Sequence, residues 1–189
     1  VFVAGALPGD VVKVGSLKKK KKVLFGSVDT ILTSSVDRVT SRCEVSECGG
    51  CPLRELSWDA QHRVKRQRVI DALRRIGGMD IEQQTGSITT KGEGWHYRHR
   101  VRLHAQWMGS QWNIGYHKRQ SHEIQDFREC MVLLPPLETM VRQTKLWLEG
   151  LLPQSGLRSV EIALGKEEGV FAVKLQGSGT LKHYQAAYR

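Results

Sequence analysis

The sequence predicts an α+β protein with an incomplete small β-barrel, then a cysteine loop, then a central α/β domain with antiparallel hairpins. Three observations lead to this class. Short apolar runs between turn residues fill the first 40 residues, three of the four cysteines lie within one short loop, and helical and alternating apolar patterns follow that loop. The predicted domains are residues 1–40 and 41–189, and we expect earlier barrel strands to be missing.

The net charge of +10 at pH 7 indicates a polyanionic partner, because basic side chains near phosphates release condensed counterions. A nucleic acid fits better than an anionic membrane surface, since no basic helix carries large apolar anchors opposite its charges. No apolar run approaches the roughly 20 residues that span a bilayer, and no signal peptide is visible. We therefore expect a cytoplasmic protein with no membrane partner, and a monomer.

The first predicted domain contains short strands around the turn residues Leu7, Pro8, Gly9 and Asp10. A lysine run follows, and it would lie on a loop or strand end as a phosphate-contacting patch. Its members are Lys18, Lys19, Lys20, Lys21 and Lys22. The alternative is a solvated run that binds nothing.

A helix is predicted over residues 59–76, with Ser57 as its N-cap and Gly77-Gly78 as its stop. Its apolar stripe consists of Val69, Ile70, Leu73 and Ile76. A second helix is predicted over residues 136–151. Two strands, 160–164 and 171–175, are predicted to follow it as a hairpin.

Residues 97–107 alternate between apolar and basic side chains, which predicts a strand with one apolar and one basic face. Gly109-Ser110 turns this strand into a partner that holds Trp112, Ile114 and Tyr116. The basic face is a second candidate RNA surface, because like charges on one face repel each other unless a polyanion or an acidic partner lies opposite. Its residues, with the extension at the hairpin end, are Arg98, Arg100, Arg102, His104, Lys118 and Arg119. The alternative is pairing with Glu and Asp elsewhere in the protein.

The four cysteines are Cys43, Cys48, Cys51 and Cys130, and the first three surround Gly49-Gly50. In a cytoplasmic chain this clustering favours metal binding over disulfides. The glycines suit tight turns, since glycine reaches positive φ without steric cost. Three ligands on one loop plus a distant fourth favour an iron–sulfur cluster, whereas zinc and free or redox-active thiols remain open. Cys130 could alternatively be a nucleophile.

The segment RCEVSECGGCPLRELSWDAQHRVKRQRVIDALRRIGG, residues 42–78, resembles the bacterial 23S rRNA (uracil-5-)-methyltransferases, the iron–sulfur-containing branch of the RNA uracil-5-methyltransferases. A second block agrees with this branch: WHYRHRVRL at residues 95–103, then IGY, then SHEI up to Cys130. The opening FVAGALPGD resembles the second half of a TRAM domain, an OB-like barrel that binds RNA. The resemblance covers the N-terminal and central part of the family.

This resemblance implies a 4Fe-4S cluster held by Cys43, Cys48, Cys51 and Cys130. It implies RNA, 23S rRNA in particular, as the partner, and S-adenosylmethionine (SAM)-dependent formation of 5-methyluridine by the full-length protein. The nucleophile, base and SAM-binding residues would lie in a C-terminal Rossmann-like domain, which we expect to be absent here. No catalytic residue is therefore assigned, and the chain alone is expected to be inactive. The alternative hypothesis is a stand-alone, non-enzymatic iron–sulfur or zinc RNA-binding module.

Overall fold

The computed structural model describes residues 1–92, 94–167 and 169–185, and the chain divides into two compact units. The N-terminal unit is Val1–Arg42 with Leu53–Thr90, and the cysteine unit is Cys43–Pro52 with Lys91–Arg189. This division differs from the predicted domains 1–40 and 41–189, because the chain leaves the first unit for the cysteine loop and then returns to it. The mixture of strands and helices confirms the α+β class. No helix in the described ranges is long and apolar enough to cross a bilayer.

The N-terminal unit contains a three-stranded sheet of β1 (Phe2–Ala4), β2 (Val11–Lys20) and β3 (Val23–Thr33). Their order is β1-β3-β2, with β1 parallel and β2 antiparallel to β3. A two-residue turn joins β2 to β3, and its first residue, Lys21, has a positive φ of 56°. That this sheet belongs to a barrel remains a prediction.

Helix α1 (Trp58–Gly77) begins and ends where the sequence indicates. The Ser57 hydroxyl accepts a hydrogen bond from the Ala60 N–H, and Gly78 takes the left-handed conformation that ends a helix. The predicted apolar stripe is wrong in part, because Ile70 is fully buried whereas Ile76 is 79% exposed. Residues 69 and 76 share a face that lies about 100° around the helix from Ile70, given 3.6 residues per turn.

An ion-pair cluster around Arg38 connects distant segments of the N-terminal unit. Its guanidinium lies 2.6 Å from a carboxylate oxygen of Asp10 and 2.6 Å from one of Glu55. The Asp10 carboxylate also accepts the backbone N–H groups of Leu7 and Ser35. The Arg38 hydrogen bond holds the pKa of this carboxyl well below its usual range, although burial opposes the shift. Asp10 is therefore charged in the folded unit and is stabilised by several donors at once.

The cysteine unit is built on a five-stranded antiparallel sheet. Its strands are β4 (Arg100–Trp107), β5 (Trp112–His117), β6 (Ile124–Asp126), β7 (Leu157–Leu164) and β8 (Phe171–Gly177), in the order β6-β5-β4-β7-β8. Both predicted hairpins are confirmed, since β4 pairs with β5 and β7 pairs with β8. Strand β6 and the pairing of β4 with β7 were not predicted.

One face of this sheet packs against helix α2 (Pro135–Glu149), which matches the helix predicted over 136–151. A short 3-10 turn (Pro153–Ser155) and helix α3 (Leu181–Gln185) complete the unit. Alternate apolar residues of the strands meet the buried residues of α2, so the core lies between sheet and helix. Its most buried members are Val101, Leu103, Leu133, Leu137, Leu148, Leu151, Val160 and Ile162.

Strand β4 begins at Arg100, three residues later than predicted. The N–H groups of His96 and Arg98 bond instead to the carbonyl oxygens of Met131 and Val132, each at 2.8 Å. His96 has a positive φ of 51°, which turns the backbone out of the extended course. Tyr97 is consequently 56% exposed and not part of the apolar face. Local alternation cannot detect such a competing long-range pairing.

Candidate metal centre and basic sheet face

The cysteine loop, Cys43–Pro52, is docked on the end of strand β5. Cys48 forms an antiparallel bridge with Lys118, and the Gly49 N–H donates to the His117 carbonyl oxygen at 3.0 Å. The Arg119 N–H donates to the Glu47 carbonyl oxygen at 3.0 Å. Backbone bonds therefore fix the loop at a defined place beside the sheet.

Close contacts in the loop explain Gly49 but not Gly50. A Cβ on Gly49 would lie 2.8 Å from the His117 carbonyl oxygen, and one on Gly50 would lie 3.4 Å from the sulfur of Cys48. The Gly50 N–H donates to that same sulfur at 3.4 Å. Neither glycine has a positive φ, so the expected conformational reason for them is wrong. At Gly49 the loop approaches strand β5 too closely for a side chain, whereas a Cβ at Gly50 would be in ordinary contact with the Cys48 sulfur.

Cys130 reaches the same region from a different part of the chain. It precedes helix α2, and its N–H donates to the Glu138 carboxylate in the first turn of that helix at 2.7 Å. Its carbonyl oxygen accepts from the Leu133 N–H. The start of helix α2 thus fixes the backbone of Cys130, whose side chain is half-buried.

The Cys130 thiol lies near enough to the Cys48 and Cys51 thiols of the loop to interact with them electrostatically. Burial raises the pKa of the Cys130 thiol, and the Cys51 and Cys48 thiols raise it further. Cys43 begins the same loop in the same unit, and all four cysteines lack a disulfide bond. As arranged, no three described His, Cys, Asp or Glu side chains lie close enough together to hold a metal ion.

The five lysines of the charge run lie in the N-terminal unit and are exposed. Lys18, Lys19 and Lys20 end strand β2, and Lys21 and Lys22 form the turn to β3. None of the five appears in an ion pair among the described residues, so this run remains available to an external anion.

The outer face of the five-stranded sheet carries Arg100, Arg102 and His104 on β4, as predicted. Arg100 forms an ion pair with Glu161 at 3.3 Å, and Arg102 donates to the Gln176 side chain at 2.9 Å. The His104 ring packs on that of His117 with centroids 3.8 Å apart and planes tilted by 30°. Burial, followed by the effects of His117 and Arg102, lowers the pKa of His104.

The prediction that Arg98 shares this outer face is wrong. Because residues 96–98 pair with 131–133, the Arg98 side chain lies beside Tyr116 and near Cys51 instead. Burial lowers the pKa of Arg98, but its interactions with Tyr116, Tyr97 and Cys51 more than reverse this effect. Arg98 thus belongs to the surroundings of the thiols.

Lys118 and Arg119 adjoin the docked cysteine loop. Lys118 forms ion pairs with Glu47 at 2.9 Å and Glu123 at 3.0 Å, and the Arg119 side chain is exposed. Acidic pairing, the alternative stated for the basic face, therefore applies to Lys118 and Arg100. Both side chains remain partly exposed.

Sequence reasoning missed two residues that shape the thiol site. Glu138 fixes the Cys130 backbone, and the Tyr116 ring lies beside the cysteine loop, 3.8 Å from where a Cβ on Gly50 would be. The alternation in β5 correctly placed Tyr116 on the core side, but it gave no sign of what the hydroxyl group meets. The acidic residue in the first turn of the predicted helix was the signal available for Glu138.

No protein-family model matches the chain. At 34% identity, 97% of the chain aligns with 42% of the 23S rRNA (uracil(1939)-C(5))-methyltransferase RlmD of Methylococcus capsulatus. An uncharacterized RNA methyltransferase of Halalkalibacterium halodurans is 33% identical over 100% of the chain and 38% of that protein. The chain thus spans less than half the length of these relatives.

The fold resembles the crystal structure of Pyrococcus abyssi tRNA (uracil-54, C5)-methyltransferase in complex with S-adenosyl-L-homocysteine. The TM-score is 0.65 at 23% identity, and the match covers 99% of this chain and 44% of that one. At this identity the likeness shows the fold alone. It extends over both units of the chain.

Proposed function

Because this chain is homologous over nearly its whole length to part of the bacterial 23S rRNA (uracil-5-)-methyltransferases, we propose that it is the RNA-recognition and 4Fe-4S-binding portion of such an enzyme. The whole protein would transfer a methyl group from SAM to C5 of a uridine in 23S rRNA. The chain alone would bind RNA without methylating it. A sequence identity of 34%, across an alignment that covers 97% of the chain, supports the relationship.

The thiols fit a four-cysteine cluster by their chemistry and their placement. Thiolates are the ligands of iron–sulfur clusters, and Cys43, Cys48, Cys51 and Cys130 all belong to one unit. Loading requires the docked loop and the Cys130 segment to converge on the metal. The bound cluster would supply a covalent cross-link between two segments that are distant in sequence, which supplements a small core.

Two basic surfaces support RNA as the partner. One is the exposed lysine run of the N-terminal unit, which would belong to a TRAM-type, OB-like barrel. The other is the outer sheet face with Arg100, Arg102 and His104, whose pairing with Glu161 and Gln176 leaves them partly exposed. RNA phosphates would replace these surface partners, because exposed ion pairs contribute only about 0–1 kcal/mol. We further propose a monomeric, cytoplasmic protein.

The docking of the cysteine loop beside the Cys130 segment is the observation that carries this function. The test is the iron, acid-labile sulfide and zinc content of anaerobically purified protein. About four irons and four sulfides per chain are the expected result. One zinc without sulfide would contradict the cluster and favour the stand-alone zinc RNA-binding module.

RNA recognition is tested separately by measuring the affinity for an rRNA oligonucleotide as a function of salt. Arg102→Ala should weaken binding and reduce the salt dependence by about one counterion. Arg142→Ala is the matched control, since this exposed arginine lies on α2, away from the outer sheet face. Equal losses in both variants would contradict a specific role of the sheet face.

A further inference from the structure

The hydroxyl oxygen of Tyr116 is buried, yet it makes no hydrogen bond of normal geometry with any residue that the structure describes. Its polar neighbours are the Cys130 thiol and the Arg98 guanidinium. A buried donor without an acceptor destabilises the folded protein. This geometry therefore indicates that the hydroxyl group has an acceptor in the functional state of the protein.

The position of the Tyr116 ring is fixed by packing. The ring stacks on Phe127 with centroids 5.2 Å apart and planes 18° from parallel. The cysteine loop lies beside the ring, where a Cβ on Gly50 would lie 3.8 Å from it. The ring therefore cannot swing its hydroxyl group to solvent without disturbing the loop, and the O–H remains directed at the thiol region.

Arg98 brings a positive charge to the same place. The pairing of residues 96–98 with 131–133 holds its backbone, and the Leu134 N–H donates to its carbonyl oxygen at 3.0 Å. Its half-buried side chain interacts with Tyr116 and with Cys51. No described carboxylate forms an ion pair with this guanidinium. A half-buried cation of this kind is stabilised by nearby negative charge.

Cysteine sulfur bound to a cluster is an acceptor and carries negative charge. Hydrogen bonds and positive charge at such sulfur atoms set the reduction potential of a cluster. One-electron reduction adds negative charge to the cluster, so an O–H donor and a guanidinium stabilise the reduced form more than the oxidised form. Their removal lowers the potential.

We propose that Tyr116 and Arg98 are positioning residues of the cluster: the Tyr116 O–H donates a hydrogen bond to the Cys130 ligand sulfur, and Arg98 places its charge beside the Cys51 sulfur. This inference rests on the proposed function. It assigns to both residues the control of the reduction potential and of the retention of iron.

The first test uses the full chain and the variant Tyr116→Phe, which keeps the ring and its packing but lacks the hydroxyl group. The midpoint potential is measured by anaerobic titration with dithionite, which supplies the electron, and iron release is followed with a chelator. We expect a tenfold shift of the reduction equilibrium toward the oxidised form, or about 59 mV for one electron, and faster iron release. The control, Tyr97→Phe, removes a hydroxyl group from an exposed ring and should change neither value.

The second variant, Arg98→Gln, removes the charge without the phenol and should lower the potential as well, with partial rescue by Arg98→Lys. If the wild type contains the cluster but its midpoint potential is unchanged in both Tyr116→Phe and Arg98→Gln, this inference is overturned and the proposed cluster is not. A wild type that contains no iron and no sulfide would overturn the proposed cluster, and this inference with it. The metal content of the wild type therefore separates the two failures.

Discussion

The two units of the chain are stabilised by different forces. The cysteine unit has an extended apolar core between its sheet and α2, whereas the fully or nearly buried aliphatic residues described in the N-terminal unit are Leu56, Ala60 and Ile70. The N-terminal unit instead contains the ion-pair cluster of Arg38 with Asp10 and Glu55. Hydrophobic burial depends little on pH, but the contribution of a charged cluster depends on it directly.

The largest effect is expected at Asp10, whose side chain is completely shielded from solvent. Asp10→Ala leaves the Arg38 guanidinium and the Leu7 and Ser35 N–H groups without this acceptor, and should destabilise the N-terminal unit by about 4 kcal/mol. Hydrogen exchange of the β2 and β3 amides measures this loss. Asp29→Ala is the control, since that carboxylate is half exposed in its ion pair with Lys13. Loss of protection in the β4 and β7 amides instead would contradict the contrast between the units.

The same residue predicts a difference in acid sensitivity. The pKa of Asp10 is lowered by folding. Its stabilisation is therefore present above the unfolded value near pH 4 and is lost as the pH falls toward the folded value. Exchange in β2 and β3 should accelerate on acidification more than exchange in β4 and β7. In Asp10→Ala this difference should shrink, and an unchanged difference would exclude Asp10 as its cause.

Leu103→Ala should destabilise the cysteine unit by about 3 kcal/mol, because it leaves a cavity in a core position that is 1% exposed. Chemical denaturation followed by tryptophan fluorescence measures the change, since Trp107 and Trp112 lie in or against this core. Val173→Ala, at a position 44% exposed on β8, should change stability by less than about 0.5 kcal/mol. Similar losses for both variants would indicate that this sheet face is not the core.

Gly115→Ala should destabilise the edge of the cysteine unit by about 2 kcal/mol. A Cβ at this position of β5 would collide with the carbonyl oxygen of Gln125 on β6. Exchange of the β6 amides should accelerate most. Gly109→Ala, in the β4–β5 turn, is the steric control, since a Cβ there meets no neighbour and the only strain comes from its φ of 95°.

The smallest effect is expected at the N-cap of α1. Ser57→Ala removes the side-chain acceptor of the Ala60 N–H and should cost about 1 kcal/mol. Fraying of the first turn, measured by amide exchange at residues 59–61, should increase. Ser57→Asn should retain most of the stability, because asparagine is an equally good cap.

The sequence predicted those elements whose signals are local. Ser57 and Gly78 mark the ends of α1, and the alternation before and after Gly109 predicted the β4–β5 hairpin, because cap and turn chemistry act within a few residues. It did not predict β6 or the adjacency of β4 and β7. Strand β6 has only three residues and so carries almost no pattern of its own, although it follows its partner β5 closely in the chain. The pairing of β4 with β7 joins segments more than 50 residues apart, which no local pattern can indicate.

The candidate site shows the same limit. Spacing and residue type selected the four cysteines, and the parity of β5 placed Tyr116 on the core side. The prediction for Arg98 was wrong because the alternation of apolar and basic residues includes residues 97 and 98. These two residues precede β4 and pair with residues 131–133 instead of β7. That Tyr116 and Arg98 meet near the thiols depends on the docking of the cysteine loop, which no local pattern encodes.

The cysteine loop lies in the chain between the two segments of the N-terminal unit, Val1–Arg42 and Leu53–Thr90. A ribosome releases the loop before β5 and the Cys130 segment exist, and at 5–20 residues per second this interval lasts roughly 4–16 seconds. During that time the N-terminal unit can fold and close the loop at both ends, leaving three thiols without their strand. Nascent chains therefore pass through a stage in which these three thiols are exposed to oxidants before the segment that contains Cys130 has been made.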